Sequence, residues 1–254
     1  MLFIYFVVFV LGCLWGSFCS VCIYRLPKKE NIISDRSKCR SCKKKINWYD
    51  NIPLISYLIL KGNCRCGKVK IDFRYFLVEL ITASSFLGIY YLYGATITSL
   101  LLIILSIFFV IIFFIDLDHF IIPNALTFPL MIIGFVKSFD SNINLNLFPN
   151  YMESLIGGVF GYVLIWGIIT LYMKIRKKEG MGLGDAKLLA AIGFWFGWYS
   201  IPYVIFLSSL SALLVALPSL VNKSKSMSTQ IPFGPYLIFG TVAYLIFKNY
   251  FIFI

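Results

Sequence analysis

Long apolar runs separated by short polar segments dominate this chain. A bilayer core of about 30 Å needs about 20 consecutive apolar residues to span it as a helix. About eight runs approach that length, and the sixth is short and rich in glycine. They cover residues 2–24, 75–93, 97–115, 123–139, 152–173, 186–198, 203–221 and 232–252. The pattern predicts an all-α polytopic membrane protein with about eight transmembrane helices.

Composition supports this class. Of the 254 residues, 60% are hydrophobic and 13% are charged, whereas charged residues make up about 25% of soluble domains. No Lys or Arg precedes the first run, so we expect it to stay as a membrane helix and not to be a cleaved signal peptide. The predicted parts are a first helix at 1–24, a small cysteine-containing loop domain at 25–74 and a seven-helix membrane domain at 75–254.

Basic residues are unevenly distributed along the chain and predict its orientation. Fourteen of the 23 Lys and Arg lie between Arg25 and Arg74, and further groups lie at 174–178 and 223–225. With eight spans, all three groups fall on one side, which the positive-inside rule assigns to the cytoplasm. We therefore expect a multi-pass protein of the cytoplasmic (inner) membrane with its N-terminus outside. Contact with anionic lipid accounts for the net charge of +12, so no nucleic-acid partner is needed.

The loop domain carries two close pairs of cysteines. They are Cys39 with Cys42, and Cys64 with Cys66. A loop of about fifty residues has little core of its own, and a cytoplasmic location disfavours disulfides. Four thiolates suit a tetrahedral structural zinc, although the second pair is C-x-C where a zinc ribbon has C-x-x-C. The alternative interpretation is a loop with reduced thiols or a site that has decayed.

Two aspartates lie at predicted membrane borders. Asp116 follows the apolar run FFVIIFFI, and Asp185 ends the segment EGMGLGD. With Pro123 soon after it, Asp116 is expected on a short connection beside water, and the glycines at 180, 182 and 184 suggest a bent backbone before Asp185. Two carboxyls on neighbouring helix ends can share a proton, one acting as acid and the other activating water. The alternatives are an interfacial residue at 116 and a helix N-cap at 185.

Other catalytic arrangements fit poorly. His119 is the only histidine, and neither G-x-S-x-G nor H-E-x-x-H occurs, which disfavours a serine hydrolase of that type and excludes the H-E-x-x-H class of zinc protease.

Six segments, taken together and in order, carry a resemblance to a known family. They are GSFCSVCIYRLP from Gly16, WYDNIPLISYLILKG from Trp48, RYFLVELITA from Arg74, IDLDHFIIPNALTFPL from Ile115, GMGLGDAKLLAAIG from Gly180 and IPFGPYL from Ile231. The chain resembles the bacterial prepilin peptidases, also called type 4 prepilin-like leader peptidases, over nearly its whole length.

The resemblance implies an aspartic protease of the G-x-G-D class, with Asp116 and Asp185 as catalytic acids. It would remove the short basic leader of prepilins and pseudopilins at the cytoplasmic face. Supporting roles fall to Gly182, Gly184 and Lys187, and Asp118 is the alternative first acid, since residues two apart on a helix face different ways.

Many family members also methylate the new N-terminal amine with S-adenosylmethionine, and the cytoplasmic loop is implicated in that activity. The sequence itself identifies no residues that bind this cofactor. The C-x-C pair, and Ser20 where the family usually has Asn, depart from the pattern at the zinc and methyltransferase features. Asp50, Glu79 and Glu179 are expected to offer negative charge to a basic leader.

Two other classes stay open on the residues alone. A transporter or channel could use the border aspartates to bind cations or relay protons, but the cysteine loop would then have no role. A membrane-anchored zinc adaptor would need neither eight spans nor the GMGLGD segment. The oligomeric state is not legible from the sequence.

Overall fold

The computed structural model describes residues 2–32, 48–65, 70–140, 143, 147–177, 182–221 and 232–251. In this part of the chain the structure is helical, without strands apart from one isolated bridge between Asn63 and Lys70. The described α-helices are α1 (Leu2–Arg25), α2 (Ile55–Ile59), α3 (Phe73–Tyr93), α4 (Ile97–His119), α5 (Asn124–Val136), α6 (Tyr151–Arg176), α7 (Leu183–Phe196), α8 (Ser200–Val221) and α9 (Gly234–Phe251).

The chain divides into two compact units, Met1–Ile111 and Ile112–Ile254. In the first unit, α1 packs along α3 through two glycines spaced four residues apart. A Cβ atom built on Gly12 would lie 2.6 Å from the Cα of Ala83, and one on Gly16 would lie 2.6 Å from the Cα of Glu79. Small residues at this spacing let helix backbones approach closely, as in membrane helix pairs.

Helix α7 forms the centre of the second unit, with α5, α6, α8 and α9 packed around it. Its contact with α6 also depends on glycine, because a Cβ atom on Gly157 would lie 2.5 Å from the backbone oxygen of Gly193, and one on Gly193 would overlap the backbone of Gly157. Nearly every residue from Asp185 to Phe196 is buried. From Asp185 onward the helix is therefore largely enclosed by protein.

Polar side chains fasten the C-terminal end of α7. The buried ammonium of Lys137 donates a 2.8 Å hydrogen bond to the backbone oxygen of Trp195 and lies 3.9 Å from the centre of the Phe148 ring. The hydroxyl of Ser154 donates to the oxygen of Phe194 at 2.7 Å. Both bonds satisfy carbonyls that have no partner inside the helix.

The predicted fold class is confirmed, and each of the eight predicted runs contains a helix. Five described helices are long and apolar enough to cross a membrane, namely α1, α3, α4, α6 and Ser200–Leu217 of α8. Helix α7 has only 14 residues, or about 21 Å of rise. The number of crossings, the orientation and the three predicted parts of the chain stay predictions.

Candidate active site

Asp116 lies in the last turn of α4 and is 4% exposed. The prediction of a short connection beside water is therefore wrong at this residue, because the helix continues to His119 and buries the carboxyl. Its Oδ2 atom accepts a 3.0 Å hydrogen bond from the backbone N–H of Gly234. A buried carboxyl needs such a donor, since an unpaired one in apolar surroundings is strongly disfavoured.

Gly234 is the first residue of α9 and approaches Asp116 closely. A Cβ atom built on Gly234 would lie 2.6 Å from Asp116 Oδ2, a distance that real Cβ atoms do not adopt. The N–H groups of a first helical turn have no partner inside the helix, so this one is available to the carboxyl. Only glycine leaves the donor and the carboxyl in this arrangement.

Asp185 lies in the first turn of α7 and is 8% exposed. The interpretation of Asp185 as the N-cap is wrong, because Gly182 holds that position. Asp185 falls outside the five candidate spans. Burial, and second the charge of Asp116, raise the pKa of Asp185 to about 7, while a backbone hydrogen bond from Gly182 acts in the opposite direction. The two carboxyls therefore interact electrostatically.

Ile122 contacts the neighbours of both acids. Its Cβ would lie 3.0 Å from a Cβ atom built on Gly184, and its Cδ1 would lie 3.1 Å from one built on Gly234. A glycine at 184 therefore makes room for Ile122. The prediction that the glycines supply a bent backbone is not met in the described part of the segment, since Gly182 has φ −81°, which any residue adopts, and Gly184 is helical. Gly180 lies outside the described residues.

Lys187 joins the start of α7 to the start of α5. Its ammonium donates a 2.7 Å hydrogen bond to the side-chain oxygen of Asn124 and lies 5.6 Å from the centre of the Phe128 ring. The predicted supporting residue thus holds two helices together beside Asp185. Asp118, the alternative first acid, is exposed on α4, as expected for a residue two positions from a buried one.

The cysteine pairs lie mostly outside the described residues. Cys39, Cys42 and Cys66 fall there, and Cys64 is half-buried. Over the described part of the chain, no group of three or more His, Cys, Asp or Glu side chains could hold a metal ion. The zinc site therefore stays a prediction.

The acids expected to face a basic leader are placed differently. Asp50 accepts hydrogen bonds from the Arg65 guanidinium at 2.8–3.1 Å, and Glu79 is buried in the first unit. Neither presents an unoccupied surface charge, so the structure adds no support to that expectation, which stays a prediction. Glu179 lies outside the described residues.

Three residues of the site were missed by the sequence analysis. Gly234, Ile122 and Asn124 lie in the segments IPFGPYL and FIIPNALTF, which were noted only as parts of a resemblance. The F-G-P sequence was an available sign, because a glycine before a proline at a predicted helix start marks a place where backbone donors are free. Gly234 contacts Asp116, which lies 118 residues away along the chain, and no local sequence pattern indicates this contact.

Two buried carboxyls that interact, one of them bonded to a backbone N–H, can carry out acid–base chemistry on a bound molecule. One carboxylate can take a proton from water while the other, still protonated, gives one to the substrate. The arrangement suits the hydrolysis of a peptide bond.

Matches to known protein families extend over both units of the chain. Residues 10–93 match the family model of the bacterial peptidase A24 N-terminal domain, and residues 102–217 match that of the type IV leader peptidase family. The prepilin leader peptidase/N-methyltransferase of Pseudomonas aeruginosa is 35% identical over 93% of this chain and 88% of its own length. The proteins of the same name from Aeromonas salmonicida and Neisseria gonorrhoeae are 35% and 34% identical, over 94% and 90% of this chain and 89% and 85% of theirs. No solved structure gives a significant match.

Proposed function

The chain belongs to the type IV leader peptidase family, and on that premise we propose that it is a membrane aspartic endopeptidase that removes the short basic leader of prepilins and pseudopilins. We further propose that it methylates the new N-terminal amine, with S-adenosylmethionine as methyl donor. The names of its relatives support both activities.

The observation that carries the peptidase proposal is geometric: both carboxyls are buried in one unit, and Ile122 lies against Gly184 next to Asp185 and against Gly234, which bonds to Asp116. Asp116 accepts the Gly234 N–H, which favours its ionised form and suits it to take a proton from water. Asp185, in its protonated form, donates to the carbonyl oxygen of the scissile peptide. The water oxygen bonds to the carbonyl carbon and gives a tetrahedral intermediate. The C–N bond then breaks as the leaving amine takes the proton held by Asp116, and Asp185 recovers a proton from a hydroxyl of the intermediate.

Conversion of each acid to its amide tests this assignment. The full chain is co-expressed with a prepilin, and leader removal is followed by intact mass. Asp116→Asn and Asp185→Asn keep side-chain size but cannot exchange a proton, so each should lower cleavage about a thousandfold or more. Asp118→Asn is the matched control on the same helix and should still cleave. Retained cleavage in both dyad variants, or loss in Asp118→Asn alone, would contradict the proposal.

The methyl donor is a cationic molecule, with a sulfonium and an ammonium group. A site for it requires a carboxylate or aromatic faces to offset that charge. Glu79 fits this requirement, because it is a buried carboxyl whose hydrogen-bond partners are neutral. The bound donor would supply the methyl group, and the protein would hold its charged end and the accepting amine. The same mass spectrum reports the added methyl group.

For the loop domain we propose a structural zinc held by Cys39, Cys42, Cys64 and Cys66. Two close thiol pairs in a segment too short for a large core support it. Metal analysis of the purified chain should give one zinc per molecule, and the double variant Cys39→Ser, Cys42→Ser should lose it. Zinc retained at one per chain in that variant would rule out this ligand set.

The location we propose is the cytoplasmic (inner) membrane, with the N-terminus outside and the acids at the cytoplasmic face. The three basic groups at 25–74, 174–178 and 223–225 support this orientation. With eight spans and the N-terminus outside, both termini face outward. A single cysteine introduced at either terminus should therefore react with a reagent applied to intact cells, and protection of either one would contradict this topology.

A further inference from the structure

Glu79 is a buried carboxyl in the first unit that no step of the proposed cleavage uses. It is 8% exposed and lies where α3 packs against Gly16 of α1. Its Oε2 atom accepts a 2.8 Å hydrogen bond from the backbone N–H of Leu54, and the hydroxyl of Ser17 also donates to the carboxyl. Neither of these partners is a cation, and the described part of the chain gives Glu79 no charged partner.

Ser20 adds a second, independent observation at the same face of α1. Its hydroxyl is buried, with the residue 7% exposed, and its oxygen has no hydrogen-bond partner in the described structure. Ser20 follows Gly16 by four residues and Ser17 by three, so the three share one face of the helix. That face is the one that meets Glu79, as the contact of Gly16 with the Glu79 backbone establishes.

A buried carboxylate with only neutral donors is incompletely compensated. Charges inside proteins are usually paired with an opposite charge, because desolvation is otherwise unfavourable by several kcal/mol. A buried hydroxyl without a partner is likewise rare. Both groups would be satisfied by one added group that carries positive charge and several N–H donors. Leu54 and Ser17 are half-buried, so the site adjoins the protein surface.

We propose that Glu79 and Ser20 bind a primary ammonium group, with Glu79 accepting its charge and Ser20 accepting a second N–H. The inference rests on the methyl transfer proposed above, which involves two such groups. One is the ammonium of S-adenosylmethionine. The other is the new α-amine of the cleaved substrate, which binds as an ammonium and loses its proton to solvent before it accepts the methyl group. A structural role, in which Glu79 only caps the Leu54 N–H, is the alternative.

Glu79→Gln separates these roles, because glutamine keeps an oxygen for the Leu54 N–H but loses the charge. Charge-assisted hydrogen bonds are stronger than neutral ones by an amount that corresponds to about ten- to one-hundredfold in binding. Full-length protein in lipid vesicles should therefore bind one ammonium ligand about ten- to one-hundredfold more weakly. Leader cleavage should stay within about twofold. Asp72→Asn, which removes an exposed carboxylate at the N-cap of the same helix, is the matched control.

Two arms identify the ligand. Equilibrium dialysis of labelled S-adenosylmethionine, without substrate, tests its ammonium. The KM of methyl transfer to a synthetic pilin peptide with a free N-terminus tests the α-amine. A loss in the first arm assigns the site to the methyl donor, and a raised KM with unchanged dialysis assigns it to the peptide.

Unchanged values in both arms would overturn the proposal, and so would a parallel fall in cleavage and methyl transfer, which would indicate a structural role only. Wild-type protein that cleaves but neither binds S-adenosylmethionine nor methylates would also overturn it while leaving the peptidase intact. Wild-type protein that does not cleave would contradict the peptidase proposal, and dialysis would still test Glu79.

Discussion

The buried carboxyls of the two units have different interaction partners. In the second unit Asp116 and Asp185 interact with each other, and a backbone N–H bonds to Asp116. In the first unit Glu79 is as deeply buried, yet its partners are a backbone N–H and a hydroxyl. Both sites lie beside glycines that bring backbones close, Gly234 in one and Gly16 in the other.

This difference separates two kinds of chemistry. Two carboxyls near each other disfavour double ionisation, so one retains a proton that it can donate near neutral pH. A single carboxyl with neutral donors has no such neighbour and attracts a cation instead. We therefore expect changes in the second unit to affect peptide cleavage and changes around Glu79 to affect methyl transfer.

After the loss of either catalytic carboxyl, the largest effect should follow from Gly234→Ala. The new methyl group would meet Asp116 Oδ2 at 2.6 Å, so the carboxyl must move away from its donor. Misplacement of a catalytic group by about 1 Å lowers rates about a hundredfold, and kcat of cleavage should fall by that factor with KM little changed. Methyl transfer to a peptide that already has a free N-terminus should continue.

Gly167→Ala in α6 is the control for this substitution, because a Cβ atom at Gly167 has open space around it. Equal losses of cleavage and methyl transfer in Gly234→Ala would indicate general misfolding and remove the distinction between the units.

Raising the pH should separate the two activities next most strongly. The raised pKa of Asp185, about 7, means that its carboxyl is protonated below pH 7 and ionised above it. A proton donor is therefore lost as the pH rises, and cleavage should fall about tenfold per pH unit above 7. Methyl transfer needs a neutral α-amine, whose ordinary pKa is about 8, so its rate should rise over the same range. Measuring the rate of each reaction from pH 5 to 9 checks this. A rate of cleavage that does not change between pH 6 and pH 9 would contradict the assignment of Asp185 as the acid.

A smaller effect should distinguish the two glycines before Asp185. A Cβ atom on Gly184 would lie 3.0 Å from Ile122 Cβ, whereas one on Gly182 meets only the Gly184 backbone N at 3.9 Å. Gly184→Ala should displace Ile122 by a few tenths of an ångström and lower kcat of cleavage about three- to tenfold. Gly182→Ala should leave it within twofold, because its backbone conformation suits any residue. Similar losses in both variants would point instead to a need for flexibility in this segment.

Hydrophobic patterning predicted the fold class well, because membrane helices must be apolar over about 20 residues and satisfy their own backbone groups. Helix ends were harder to predict. The continuation of α4 through Asp116 was missed, since a charged residue after an apolar run looks like a boundary. The run at 186–198 begins inside α7, because Leu183 and Gly184 join that helix.

The site was predictable where its chemistry is local in sequence. Asp116 and Asp185 stand out as acids beside long apolar runs, so they could be proposed from the chain alone. The Gly234 donor, the contact of Ile122 with two glycines and the Lys187–Asn124 hydrogen bond join residues far apart in the chain. Such contacts depend on how helices pack, and no local pattern encodes them.

The hydrogen bonds at the C-terminal end of α7 restrict how this helix can move. The helix carries the Asp185 carboxyl in its first turn, and the Lys137 amine donates a hydrogen bond to one of its last carbonyls. Sliding α7 along its axis would break the hydrogen bond from the buried Lys137 amine to the Trp195 oxygen. The close glycine contacts with α6 also hinder rotation of the helix. We therefore expect α7 to keep its position in the second unit when a peptide binds. Any movement that accommodates the peptide should then occur at the helix ends that carry Asp116 and Gly234.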